Sequence, residues 1–203
     1  MTWVNVLGWT VAVLASVLGV PQVVRLIRTR STAGVARITW QAIFAANIGW
    51  GIHGWQIGAP HMVANNVVAV VWTLIILGFL IRDGSTNPIL VLAPSVVGGA
   101  ALALVGVVFG SAAFGIAALG PAILANTGQT VKLVHAPRVD GVSPVFLAAG
   151  VLAQVMWIAW GTMVRDAGTV IGSSVGVSIV ALNLTWWFLR RGGLRPLFAV
   201  ANP

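Results

Sequence analysis

The sequence predicts an all-α integral membrane protein. Seven transmembrane helices are expected in a 3-1-3 arrangement, with two parallel triple-helix bundles joined by a linker helix. Three observations lead there. Of 203 residues, 59% are hydrophobic and only 7% are charged, whereas a soluble domain carries about 25% charged residues, so this chain cannot cover a water-facing surface. The basic residues gather in alternate connections between apolar runs. The chain also matches itself at an offset of 107 residues.

A span needs about 20 mostly apolar residues. Seven segments qualify: 3–27, 38–57, 60–81, 88–109, 113–134, 143–164 and 168–190. They are divided at Arg28 to Arg37, Gly58-Ala59-Pro60, Arg82 to Pro88, Gly110-Ser111, His135 to Asp140, and Arg165 to Gly168. The first and fifth are long because their charged ends reach past the hydrocarbon. The opening MTWVNVLGWT has no basic stretch, so it is read as the start of the first span and not as a cleaved signal peptide.

Seven spans place Arg25, Arg28, Arg30, Arg37, Arg82, Lys132, Arg138, Arg190, Arg191 and Arg195 on one side and only Arg165 on the other. The positive-inside rule then sets the N-terminus outside the cell membrane and the C-terminus in the cytoplasm. An even number of spans would scatter these charges over both faces. The net charge of +8 is thereby explained by orientation, and no nucleic-acid partner is expected. The chain has no cysteine, which excludes disulfides and thiolate chemistry.

At the 107-residue offset Gln22 aligns with Gln129, Val24 with Val131, Arg25 with Lys132 and Leu26 with Leu133. Gly34-Val35 aligns with Gly141-Val142, Trp50 with Trp157 and Gly54 with Gly161, without a gap. Spans 1–3 map onto spans 5–7. Each unit crosses an odd number of times, so span 4 is the extra crossing that keeps the two copies parallel, an arrangement found in transporters with a substrate site at the repeat interface. The expected organisation is a first three-helix repeat (1–84), a linker helix (85–111), a second repeat (112–191) and a short cytoplasmic tail (192–203).

Pro21-Gln22, a basic residue a few positions later, and then Ser31-Thr32-Ala33-Gly34-Val35 resemble the PQ-loop motif. The 3-1-3 layout is similar to the SWEET sugar transporters, whose half-sized relatives, the SemiSWEETs, dimerise. The first copy keeps Pro21-Gln22, Trp50 with Gly54, Pro60 and Ala64-Asn65. The second has Gly128-Gln129 for Pro-Gln, and Gly172-Ser173 opposite Asn65-Asn66. The resemblance implies a hinge at Pro21 and Gln22, with Gly128 and Gln129 as its unequal counterpart and Pro121 two turns earlier as a substitute. It also implies a pocket in which an asparagine of the third helix and tryptophans of the second and sixth flank a sugar.

The residues agree with that implication in part. Proline frees a helix carbonyl, which Gln22 could satisfy. Asn65 and Asn66 are adjacent amides in an apolar run and cannot both face one neighbour. Trp50 and Trp157 lie deep in their spans, and aromatic faces stack on flat or cationic ligands and sugar rings. The expected substrate site is Trp50, Asn65, Asn66, Trp157 and Ser173, with His53 and Trp160 as an outer gate. Asn47, Asn126, Gln154, Ser174 and Asn183 are expected to bond between helices, and Trp3, Trp9, Trp55, Trp186 and Trp187 to anchor span ends.

Asp83, Asp140 and Asp166 all fall in loops or at span ends. Proton-coupled carriers keep an ionisable carboxylate within the membrane, and none is available here, so passive facilitation is expected. No carboxylate pair, Cys-His pair or metal-ligand cluster stands out, so the chain is not read as an enzyme, and no metal or cofactor is expected. The expectation is a SWEET-like facilitative carrier that moves a small polar solute, a mono- or disaccharide, by alternating access. The alternatives are a carrier for another metabolite, such as an amino acid, and a non-transporting receptor or assembly partner. Membrane lipids are the surrounding partner. Because two units are fused, a homo-oligomer would be packing and not necessity.

Overall fold

The computed structural model describes residues 2–32, 35–136, 138–139 and 142–197. Ala33, Gly34, Asp140, Gly141 and the end of the tail lie outside the described residues. Those described form eight helices and no strand: α1 (Trp3–Leu18), α2 (Val20–Thr29), α3 (Arg37–Gln56), α4 (Pro60–Gly84), α5 (Pro88–Ala117), α6 (Leu119–His135), α7 (Pro144–Val164) and α8 (Ala167–Arg191). Local chemistry sets their ends. Pro60, Pro88 and Pro144 open α4, α5 and α7, where a missing N–H leaves no bond unmade. Asn87, Ser143 and Asp166 cap α5, α7 and α8 by accepting from the backbone N–H groups of Ile89, Phe146 and Thr169. Arg30, Ser85 and Arg165 close α2, α4 and α7 in the left-handed conformation.

Five segments are long and apolar enough to cross a membrane: Trp3–Thr29, Pro60–Gly84, Pro88–His135, Pro144–Val164 and Ala167–Arg191. The third of these holds 48 residues, including the expected boundary at Gly110-Ser111. Gly110 breaks it there with φ 85° and ψ 175°, a conformation open to glycine alone at little cost. Helix α3 is not among the five; its 20 residues include Arg37, Gln41, Asn47, His53 and Gln56.

The packing repeats as the sequence does. Helix α4 lies between α3 and the α1–α2 pair, and α8 lies between α7 and α6. Across the middle, α1 packs on α7 and α3 on α6, which exchange with each other when the copies are exchanged. Helix α5 leans on α3 and α8. Close approaches recur at the same offset. A Cβ on Gly8 would stand 2.6 Å from His61 Nε2, and one on Gly115, 107 residues on, would stand 2.7 Å from the Gly168 backbone. Gly54 against Met62 and Gly161 against Thr169 form a second such pair, at 3.0 and 3.1 Å.

The basic ends are tied alike. Arg82 at the end of α4 donates to the carbonyl of Arg30 at the end of α2. Arg190 near the end of α8 donates to the carbonyls of Leu133, Val134 and Ala136 at the end of α6. In each group the third helix supplies a cation to the orphan carbonyls of the first, where charge and helix dipole agree.

Gly115 faces backbone that cannot rotate away, whereas a Cβ on Gly78 meets nothing within 4 Å. Gly115→Ala is expected to destabilise the protein by about 1–3 kcal/mol through overpacking, seen as a lowered Tm in detergent. Gly78→Ala is expected to be neutral or slightly stabilising by about 0.5–1 kcal/mol.

Candidate functional site

Two clusters close the arginine-poor end of the molecule, one polar and one aromatic. The polar cluster centres on Asp166, the N-cap of α8. His53 Nε2, from the last turn of α3, lies 3.1 and 3.2 Å from its two carboxylate oxygens. Ser111, directly after the break at Gly110, donates its hydroxyl to the same carboxylate, and Thr169 donates its backbone N–H at 2.9 Å. Ser111 Oγ in turn accepts the N–H of Gly168 at 2.8 Å. His53 and Asp166 are buried, and the Phe114 ring stacks on the imidazole at 4.3 Å, nearly parallel. Burial pushes the Asp166 carboxyl up. The hydrogen bonds from His53, Ser111 and Thr169 outweigh that and hold it well below the usual carboxylate range.

In the aromatic cluster, His61 packs edge-on against Trp160 at 4.7 Å, lies over Trp157 at 6.0 Å and meets Trp9 at 6.1 Å. Trp157 and Trp160 join Val11, Ala59 and Met62 in one apolar core. The two clusters occupy equivalent places in the repeat. Trp160, Ala59, His61 and Val4 stand 107 residues from His53, Asp166, Gly168 and Ser111. One arm of the closure is charged and the other is apolar. A cavity of about 150 Å³ at this end touches both, lined by His61 and Trp160 on one side and Asp166 on the other.

His53 pairs with Asp166, and Trp160 with His61 and Trp157. Asp166 does sit at a span end, but it is buried between three helices and not exposed in a loop. Sequence inspection misses it because its partners, Ser111 and His53, are 55 and 113 residues away. The only local signal is Asp166 three residues ahead of Thr169 at a helix start, which reads as a cap.

Of the five expected substrate residues, Trp50 and Trp157 meet around the same apolar core. The Trp50 ring also packs edge-on against Phe114 at 4.7 Å. It fills the space beside Gly172, where a Cβ would stand 2.8 Å from its six-membered ring. Gly172 is the counterpart of Asn65, so the second copy has exchanged an amide for room to seat an indole. Asn65 Oδ1 faces Ser16 of α1 at 3.0 Å. The buried Asn66 turns its amide back to the Met62 carbonyl, at 2.8 Å, with Gly51 of α3 against its Cβ. The two amides therefore face different neighbours, as expected. Ser173 is buried on α8. Of the other amides, Asn47 donates to Thr73, and Asn183 accepts from Thr130, joining α3 to α4 and α6 to α8.

Both first helices of the repeat are broken, but at different depths. Pro21 is the second residue of α2, after a break at Gly19. In the second copy the break falls at Ala118, two residues before Gly120-Pro121. Gly128 lies inside regular helix with Gln129, so the break in the second copy falls beside Pro121 and not at Gly128. The reason is that a proline early in a helix loses no bond, whereas a glycine alone does not oblige a helix to break. The Ala118 break lies eight residues before the equivalent of Gly19, or roughly 12 Å along a helix. The polar group serving the first break is Trp72 of α4. Its indole N–H donates to the Ser16 carbonyl at 3.2 Å. Gly19 makes room for that ring, since a Cβ there would stand 2.9 Å from it.

Two outcomes are expected. A carboxylate held low stabilises the closed end above the ordinary value of about 3.9, and that contribution fades as pH falls through its own lower value. Asp166→Asn should therefore lower Tm most at neutral pH, with the gap to the native protein narrowing below about pH 4. A gap constant from neutral to acid would contradict the assigned hydrogen bonds. Trp72→Phe keeps the ring but strands the Ser16 carbonyl, and should cost about 1–3 kcal/mol in chemical or thermal unfolding.

Comparison with known proteins agrees with these features. Residues 3–52 match the model of the PQ loop repeat, a stretch that holds Pro21, Gln22, the break at Gly19, and Trp50. No curated protein matches the chain. The chain is thus similar to the PQ loop repeat over its first two helices and most of α3.

Proposed function

We propose that this protein is a facilitative carrier of a small polar solute, a sugar by its resemblance to the SWEET transporters, working by alternating access. In this reading the chain crosses seven times. Segment Pro88–His135 would reach roughly 72 Å as one straight helix at 1.5 Å per residue, more than twice a hydrocarbon core of about 30 Å. Divided at Gly110 it makes two crossings, and α3 makes another, shielded by α4, α5 and α6. The chain is then a 3-1-3 array with its N-terminus outside and its arginines in the cytoplasm.

The observation that carries the proposal is an unequal closure. At the arginine-poor end the two groups are joined by the His53–Asp166–Ser111 cluster and the His61–Trp157–Trp160 cluster. At the other end, among the described residues, α2 packs on α4 and α1 but on no helix of the second group. A protein built to rock about its middle would be closed at one end while free at the other. Trp50, Asn65, Asn66, Trp157 and Ser173 lie on the helices between those ends and form the solute site in this reading. Pro21 with Gln22 and Pro121 mark where α1–α2 and α5–α6 bend.

Counterflow of radiolabelled glucose and sucrose into proteoliposomes tests the proposal. Saturable exchange is expected. Binding without flux would instead make the protein a receptor, and exchange of amino acids alone would change the substrate class. Asn65→Ala and Trp157→Phe should each lower exchange about tenfold or more, the effect of losing roughly 1.4 kcal/mol. Asn65→Ala should leave Tm near native, because Ser16 Oγ also reaches the Ala12 carbonyl. Native exchange in both variants would remove these residues from the site.

A further inference from the structure

We propose that Ser16 fixes the Asn65 amide with its oxygen turned to the solute, so that the protein recognises its solute by a hydrogen which the solute donates. The inference rests on the solute site proposed above and adds to it a positioning residue, Ser16 of α1.

A single hydrogen decides the orientation. Ser16 Oγ stands 2.7 Å from the Ala12 carbonyl and 3.0 Å from Asn65 Oδ1. A serine hydroxyl carries one hydrogen, so it cannot donate fully to both. Given to Asn65, it leaves Ser16 Oγ and the Ala12 oxygen 2.7 Å apart with no hydrogen between them. Given to Ala12, it makes the back-bond familiar for serine within a helix, at the usual O–H···O separation. The two ends of an amide have nearly the same shape, and hydrogen bonding decides which end faces which neighbour. Turned about, Asn65 donates its NH2 to Ser16 Oγ, at the usual N–H···O separation. Two full bonds then replace one. The oxygen of the half-buried Asn65 is left pointing away from Ser16 as an acceptor. Asn66 spends its amide in the same way, donating its NH2 to the Met62 carbonyl.

Ser16 is itself held in place. The Trp72 indole, two turns beyond Asn65 on α4, donates to the Ser16 main-chain carbonyl at 3.2 Å. Helix α4 thus grips Ser16 by its side chain and by its backbone. In the second copy the positions of Ser16, Asn65 and Trp72 hold Ile123, Gly172 and Ile179. The whole group is absent there, so this recognition acts from one side only. The helices of the site also lack a cation, since no Lys or Arg lies within 3–24, 38–81, 139–164 or 166–189. A solute carboxylate or phosphate would meet the amide oxygen without a counter-charge, whereas a neutral hydroxyl supplies the hydrogen that the oxygen needs.

Counterflow in proteoliposomes with glucose and its monodeoxy and monodeoxyfluoro analogues reads the direction of this bond, because fluorine accepts weakly and does not donate. In the native protein, at one ring position, both analogues should exchange about fivefold more weakly than glucose. Ser16→Ala frees the amide to turn its NH2 to the solute, so the deoxyfluoro analogue should recover severalfold over the deoxy one. Ser16→Thr, which keeps the hydroxyl, should show the native pattern. Asn65→Ala should make the three solutes alike at that position. A merely structural defect in Ser16→Ala would weaken glucose and both analogues in proportion.

A deoxyfluoro analogue that exchanges better than the deoxy one in the native protein overturns the proposal, since the amide then presents its NH2. The native pattern, or a proportional loss, in Ser16→Ala removes Ser16 as the positioning residue. Exchange of glucose with no position that separates the analogues overturns the proposal and leaves the carrier standing. No exchange of glucose at all removes the sugar reading, and this inference with it.

Discussion

The carboxylate of Asp166 gathers donors from three parts of the chain: the end of α3, the residue after the Gly110 break, and the first turn of its own helix. In an apolar surrounding each of those donors would be costly to leave unpaired. Their convergence on one acceptor therefore fixes how the first group of helices meets the second. Other features at this end follow from it. Phe114 stacks on the imidazole because Ser111, three residues earlier, is held against Asp166. Gly168 and Gly115 come within van der Waals contact because α5 and α8 are drawn together at the same point. The equivalent arm reaches the same closure by packing alone, with Trp157, Trp160 and His61 where the other has charge and hydrogen bonds.

A second constraint is that backbone groups within apolar helices must be satisfied internally. Both first helices of the repeat are interrupted, and each interruption is placed where little is lost. The prolines fall in the first turn of the following helix, and the Trp72 indole takes a carbonyl at the first break. The same economy governs the basic ends, where Arg82 and Arg190 cap the helices beside them. Because the two breaks lie at different depths, the halves of this molecule are alike in packing and unlike in where they bend.

Much of this is legible along the chain. Gly110-Ser111, Gly58-Ala59-Pro60 and Arg82 to Pro88 fall where helices end or break, because glycine, proline and charge leave an apolar helix few other options. The offset of 107 residues pairs glycines that make equivalent contacts. Gly128 is misleading: it matches Pro21 in position, but the matching chemistry lies with Pro121. Trp72 is easily overlooked because an indole in an apolar run looks like bulk until its N–H is seen on a carbonyl.

The sequence by itself determined the solvent, the helical class and the repeat. Each of these follows from composition and periodicity along the chain, and backbone hydrogen bonds in an apolar solvent admit few alternatives. Tertiary structure alone decided which polar groups meet. Asp166 gave no sign in the sequence of being anything but a helix cap, and His53 no sign of which half it would bind. Their pairing depends on distances across 113 residues of chain, which no local pattern encodes. It arises only when α3, α5 and α8 pack close enough for one carboxylate to serve all three.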